Sequence, residues 1–203
     1  MNPPTLPDPA NRGLWLVVAP HGGTETLLEL AARLALHGSL RVLDGGNRFN
    51  AHICSRSIAR LLVAGRWRGP HPGMLEDCLA RIQIARAFTC FQMAALLGET
   101  PPVPLPTLVL DLLATFYDES VPTGEARRLL EACIPVLQTL SQTAPVIVGA
   151  RRPPGGSEVP GRLSERGSFV ERLAEAADRV WLTSGPTPVP ALQLSFFQDR
   201  NTS

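Results

Sequence analysis

Short apolar runs alternate with longer amphipathic stretches along most of the chain. The runs have the length of buried strands, and the stretches carry apolar residues at helical spacing. Strands are predicted over residues 14–19, 39–44, 80–88, 107–116, 145–150, 178–184 and 191–198. Helices are predicted over residues 24–37, 51–64, 74–78, 89–98, 122–143 and 169–177.

This alternation predicts an α/β fold with a mostly parallel central sheet flanked by helices. The last two strands, joined by the turn GPTPVP, predict a C-terminal antiparallel hairpin at the sheet edge. Residues 1–13 are Pro-rich and predicted to be a flexible lead, and residues 14–203 are predicted to form one domain. Pro135 predicts a kink in the longest helix.

Composition narrows the classes of partner and the compartment. The formal net charge is +1, so no global field draws the chain to nucleic acid or membrane, and any anion site must be local. The N-terminus lacks a signal-peptide pattern, and the apolar runs are shorter than the roughly 20 residues of a membrane span. The four Cys show no zinc-ligand spacing and are expected to be buried thiols. We therefore expect a cytoplasmic protein without a metal site or a membrane partner.

The stretch APHGGTETLL, residues 19–28, has the layout of strand, glycine turn and helix that is typical of a phosphate-binding loop. On the template G-x-x-x-x-G-K-[ST], Glu25 takes the Lys position and Thr26 the Ser/Thr position. All 19 residues counted as Lys plus Arg are Arg, so no lysine anywhere can serve a phosphate site. One interpretation is a plain helix start, with Gly22 and Gly23 in the turn, Thr24 as cap and Glu25 favoured by the helix dipole. The other is weak nucleotide binding through Thr26 and backbone N–H groups.

Several segments stand in one order: the glycine turn, the acid ending the second strand, IQIARAFTCFQMAALL, TLVLDLLATFY, and VIVGARR before a Pro/Gly loop. In this order they resemble the RecA/RadA recombinase family of P-loop NTPases, over about residues 14–198. The resemblance implies a RecA-like fold with a terminal hairpin. It also implies that Asp111 corresponds to the magnesium-binding Walker B aspartate and Thr26 to the magnesium-binding hydroxyl.

Other family positions are not matched. The family's catalytic Glu falls near Gly46, with Asp44 two positions earlier, and its γ-phosphate-sensing pair falls near Ala150 and Arg151. Losing the Lys, the water-orienting acid and the sensor together predicts that efficient hydrolysis is absent. No catalytic residue is assigned, and ATP with magnesium is expected to bind weakly or not at all. Asp111 is then either a magnesium ligand or a relic that bonds Thr26 or a helix N-terminus.

The family's DNA-contacting loop matches residues 151–162 in position. Arginines on a loop rich in Gly and Pro can grip phosphate backbone, which makes Arg151, Arg152 and Arg162 candidate DNA-binding residues, with Arg127 and Arg128 as a second contact. The alternative is a solvated loop beside Glu158 and Glu165.

The sequence leaves three functional hypotheses. The first is a catalytically inactive RecA-like accessory or regulator of DNA repair or recombination, which binds single-stranded DNA, a RecA-like homologue or itself. The second is an NTPase with a displaced site, in which Arg48 or Arg151 replaces the Lys and Asp44 is the base. The third is a protein-interaction or inhibitor module without DNA binding.

Overall fold

The computed structural model describes residues 12–64, 73–152 and 164–182. Its six strands form one sheet in the order β3-β2-β4-β5-β1-β6, and every described pair of neighbours is parallel. The strands are β1 (Gly13–Val18), β2 (Leu40–Asp44), β3 (Ile82–Arg86), β4 (Thr107–Leu110), β5 (Pro145–Ala150) and β6 (Arg179–Leu182). The predicted α/β class with a mostly parallel sheet flanked by helices is confirmed.

In the described residues, six α-helices cover the sheet: α1 (Thr24–His37), α2 (Ala51–Val63), α3 (Met74–Ala80), α4 (Cys90–Gly98), α5 (Thr123–Ser141) and α6 (Ser164–Ala176). Helix α1 has the predicted bounds and is followed by Gly38, whose N–H bonds the carbonyl of Leu34. Helix α5 runs through Pro135. No helix in the described ranges is long and apolar enough to cross a membrane.

Alternate residues of the strands point into two separate cores, one on each face of the sheet. From β1, Leu14 and Leu16 pack with α4, α5 and α6, whereas Trp15 and Val17 pack with α1, α2 and α3. A parallel sheet needs helices on both faces because the crossover connections place them there. All four cysteines are buried and free, two in each core, as the sequence predicted.

Several predicted boundaries shift by one or two residues, and α6 begins at Ser164 rather than at residue 169. Strand β1 begins at Gly13, one residue inside the predicted flexible lead. The predicted strand 107–116 is wrong beyond residue 110, because Asp111 adopts a left-handed conformation (φ 47°) and Leu112–Tyr117 form a 3-10 helix. A continuous apolar run does not mark the strand end, and Asp is among the few residues that tolerate this conformation. The second strand of the predicted hairpin, residues 191–198, lies outside the described residues.

Candidate functional site

Charged side chains meet at the carboxyl edge of the sheet, where ligands bind in open α/β folds. Asp44 is the last residue of β2 and Arg86 the last of β3. Asp111 directly follows β4, and Arg151 directly follows β5. The strand order places β2 beside both β3 and β4, and β4 beside β5, so these four residues lie at neighbouring strand ends.

The glycine turn after β1 lies at the same edge. Residues Pro20–Gly23 form a single 3-10 turn, and the backbone N–H of Ala19 donates to the carbonyl of Ala150 at 3.1 Å. Gly23 is left-handed (φ 64°), and a Cβ there would lie 2.9 Å from Cγ1 of Val17. Glycine is therefore required at this position by both its conformation and the close approach of β1.

The N-terminus of α1 only partly matches the sequence prediction. The N-cap is Gly23 and Thr24 is the first helical residue, so the predicted capping role of Thr24 is wrong. Gly23 adopts the left-handed conformation and ends the turn, so the N-cap lies one residue earlier than predicted. The sequence did not indicate which glycine takes this conformation. Glu25 lies in the first helical turn and is exposed, where the helix dipole favours an acid, and Thr26 is exposed as well.

Asp111 is fully buried and is paired with two arginines. Its Oδ2 lies 3.3 Å from Nε of Arg48, which donates a hydrogen bond, and 3.3 Å from Nε of Arg151. The contact with Arg151 is an ion pair and not a hydrogen bond. Nε of Arg151 and Oδ1 of Asp111 are both buried, and neither has a hydrogen-bond partner among the described residues. Asp111 therefore bonds neither Thr26 nor a helix N-terminus, the partners that the sequence suggested: its Oδ2 faces the two guanidiniums, its Oδ1 has no partner among the described residues, and it makes no side-chain cap bond to the 3-10 helix that follows it.

Burial and the two neighbouring arginines shift the pKa of Asp111 in opposite directions. Burial has the larger effect and raises the pKa of this carboxyl, because desolvation disfavours the charged form. The guanidiniums of Arg151 and Arg48 act in the opposite direction and favour the carboxylate. The side chains of Arg48 and Arg151 are 34% and 29% exposed, so these two cations remain partly in water while the anion does not.

Asp44 is buried, and its carboxylate holds the backbone of the loop that follows β2. Its Oδ1 accepts a hydrogen bond from the backbone N–H of Arg48 at 2.8 Å, and its Oδ2 accepts one from Phe49 at 2.9 Å. Nε of Arg86 lies 3.5 Å from the same Oδ2. Both carboxylate oxygens are therefore occupied by the protein itself, which argues against the general-base role considered for Asp44.

The loop after β2 has no room for a side chain at Gly46, the position that the resemblance aligns with the family's catalytic Glu. A Cβ at Gly46 would lie 2.8 Å from Cβ of Asp111 and 3.0 Å from its Oδ2. A Cβ at Gly45 would lie 2.7 Å from Cε of Met93. Any larger residue at Gly46 would displace Asp111 or the loop.

The predicted DNA-binding arginines are only partly brought together. Arg151 is paired with Asp111, and the backbone carbonyl of Arg151 accepts a hydrogen bond from the Tyr117 hydroxyl at 2.9 Å. The neighbouring Arg152 is paired with Glu171 at 3.1 Å. Arg127 and Arg128 are exposed on α5, where Arg128 is paired with Glu125 at 2.6 Å, and Arg162 lies outside the described residues. The sequence analysis did not identify Tyr117 or Arg86 as site residues. Arg86 could have been identified from its position at the end of a strand.

A second surface carries exposed apolar side chains. Strand β3 is the sheet edge, and Ile84 on it is 43% exposed. Phe88 and Phe91, between β3 and the first turn of α4, are 66% and 49% exposed. All three exposed apolar side chains lie within residues 84–91, at and next to this edge strand. In the described part of the chain, no three His, Cys, Asp or Glu side chains are grouped so as to hold a metal ion.

Comparison with known proteins gives a limited result. No protein-family model matches the chain, and no curated protein matches it. One similar solved structure is that of a DnaB-like replicative helicase and its interactions with primase, at 13% sequence identity and a TM-score of 0.46. The match covers 84% of this chain and 47% of the helicase chain, so this chain spans about half the length of that protein. A likeness at this level carries no argument about family or activity.

Proposed function

We propose that this chain is a RecA-like protein without ATPase turnover that acts as an accessory or regulator in DNA repair or recombination. It would work by binding single-stranded DNA, a protein partner, or both. Fold and motif order support the RecA-like part, and the sequence resemblance alone supports the repair context, which is an argument by analogy. The geometry of the site supports the absence of turnover.

The observation that carries the proposal is the pairing of Asp111 with Arg48 and Arg151. A Walker B aspartate assists phosphoryl transfer by holding magnesium, which neutralises phosphate charge. Here two guanidiniums already lie against that carboxylate, so a divalent cation would have to displace them. Glu25 meanwhile adds a negative charge at the helix start, where the family places a lysine.

The displaced-site NTPase is a weaker candidate for the same reason. It requires Arg48 or Arg151 to take over the lysine role and Asp44 to activate water. Both arginines instead contact Asp111, and Asp44 holds the backbone of the loop that follows β2. An NTPase reaction would need at least one of these arginines and Asp44 to be rearranged together.

Contact with a protein partner is favoured by the exposed Ile84, Phe88 and Phe91. A RecA-like homologue or a second copy of this chain are the partners that the family resemblance suggests. Sedimentation equilibrium of the wild type and a Phe88→Ser/Phe91→Ser variant tests self-association directly. Association that weakens in the variant supports this surface, and equal behaviour of the two proteins excludes it as the contact between copies.

Phosphate release with ATP and Mg²⁺, measured with and without single-stranded DNA, tests the central proposal. We expect background rates for the wild type and for Asp111→Ala. Turnover that is clear in the wild type and lost in Asp111→Ala would show a working NTPase. Thermal shift with ATP and Mg²⁺ separates binding from turnover, because a bound ligand must raise the midpoint of unfolding.

A further inference from the structure

We propose that Arg48 and Arg151 form a metal-independent binding site for a phosphate group, and that Asp111 is its built-in competitor. The inference deepens the proposed function, because it names the chemistry of a ligand that the chain would bind without hydrolysing. The phosphate could belong to a nucleotide or to the end or backbone of a DNA strand, and the experiment below distinguishes these sources.

The guanidinium geometry leaves room for a second anion. Arg48 and Arg151 each approach Asp111 through Nε, and within the described residues their Nη nitrogens have no hydrogen-bond partner. The two side chains are 34% and 29% exposed, so solvent reaches them. A guanidinium presents five N–H donors in a planar fork that matches phosphate, and the two forks meet at one oxygen of Asp111.

The charge balance of the cluster also favours an anion. Within the ion-paired cluster, Arg48, Arg86 and Arg151 stand against Asp44 and Asp111, a net charge of +1 that does not include the exposed Glu25 at the start of α1. The Asp44 carboxylate is held by two backbone N–H groups and is not free to neutralise the forks further. The positive charge of this cluster favours a phosphate that approaches the two arginines, whereas Glu25 opposes it.

Internal pairing in the cluster is incomplete. Nε of Arg151 is buried without an aligned acceptor among the described residues, although Asp111 Oδ2 lies 3.3 Å away. A buried donor without an acceptor is costly, and a phosphate oxygen would supply that acceptor. A phosphate bound at the Nη nitrogens would share the two guanidiniums with Asp111, and the negative charge of this carboxylate would lower the affinity.

The sign of one substitution separates this arrangement from a metal site. Asp111→Asn keeps the size of the side chain and the left-handed backbone, which Asn tolerates well, but removes the competing charge. Phosphate binding should then rise by about tenfold, the equivalent of one charge-assisted hydrogen bond. At a magnesium-dependent site the same change would lower binding.

Fluorescence anisotropy in EDTA tests the inference with a labelled 12-nucleotide oligothymidylate, with and without a 5′-phosphate. Unlabelled ATP and inorganic phosphate serve as competitors. We expect tighter binding for Asp111→Asn and about tenfold weaker binding for Arg48→Gln. Glu29→Gln is the matched control, because it removes one negative charge from the exposed pair with Arg60. It should leave the affinity within about twofold of the wild type.

The outcomes identify the ligand as well. A preference for the 5′-phosphorylated oligonucleotide indicates a strand end, equal binding of both oligonucleotides indicates backbone phosphate, and strong competition by ATP indicates a nucleotide. The inference is overturned if Asp111→Asn binds no probe, if it binds more weakly than the wild type, or if Glu29→Gln gives the same gain. It is equally overturned if Arg48→Gln, checked by a cooperative thermal transition, binds like the wild type. If DNA binding is the same in these variants as in the wild type, this inference fails but the proposed function does not. ATP turnover by the wild type would contradict the proposed function.

Discussion

The two sides of the Asp111 ion cluster should contribute to stability with opposite signs. Removing the charge of Asp111 by Asp111→Asn takes a charge out of a fully buried site and leaves behind two cations that are partly in water. Removing both cations by Arg48→Gln/Arg151→Gln leaves a buried carboxylate without compensation. We therefore expect Asp111→Asn to be neutral or stabilising, and the double arginine variant to be strongly destabilising.

The magnitudes follow from the distances and the exposure. Each Nε lies 3.3 Å from Oδ2, and at an effective dielectric constant of about 20 this gives a gross attraction of roughly 5 kcal/mol per pair. About a third of each arginine is in water, so screening reduces the net loss to about 1–2 kcal/mol for one arginine and about 3–4 kcal/mol for both. Asp111→Asn should change the free energy of unfolding by between about 0 and +1 kcal/mol.

The pH dependence gives an independent test. Because burial raises the pKa of Asp111, the folded state binds its proton more tightly than the unfolded chain does. The contribution of Asp111 to stability is therefore complete below its unfolded pKa and is lost as the pH rises through its folded pKa. The advantage of Asp111→Asn over the wild type should grow as the pH rises above the ordinary pKa of an aspartate, about 3.9.

Urea denaturation followed by circular dichroism, at several pH values, measures these differences. Glu29→Gln, which breaks an exposed pair, should stay within about 0.5 kcal/mol of the wild type and controls for general charge effects. If Asp111→Asn loses as much stability as the double arginine variant, the carboxylate is a net stabilising group and the reasoning fails. An advantage that shrinks with rising pH would contradict the direction of the pKa shift.

Three further predictions concern the packing and the glycine turn. Gly46→Ala should cost about 1–3 kcal/mol in urea denaturation, because its Cβ would meet Asp111 at 2.8 Å, whereas Gly98→Ala, which has open space around it, should gain up to about 1 kcal/mol. Burial raises the pKa of Cys54 to about 11 and of Cys133 to about 12, so neither should react with a disulfide reagent at neutral pH until the protein unfolds; rapid native labelling would contradict this. Glu25→Lys should leave phosphate release at background, since Gly46 supplies no acid, and turnover in this variant would show that the lysine alone was missing.

Much of the fold was accessible from the apolar pattern. Strand β5 and helix α1 have the predicted bounds because each is a clear run of one periodicity ended by a change in polarity or by glycine. The pattern failed after Asp111, where the apolar run continues but the backbone turns left-handed and enters a 3-10 helix. Hydrophobicity reports burial, and residues 112–116 are largely buried in either conformation.

The candidate site divides in the same way. Residue types alone show that the chain has no lysine, and that Glu25 and Gly46 stand where the resemblance implies a lysine and a glutamate. The contacts of the remaining charged groups depend on the folded structure. Arg48, Asp111 and Arg151 are far apart in sequence and meet because the strand order brings their strand ends to one edge. Burial there strengthens the pairing of opposite charges, and neither the strand order nor the exclusion of water can be read from residue types along a chain.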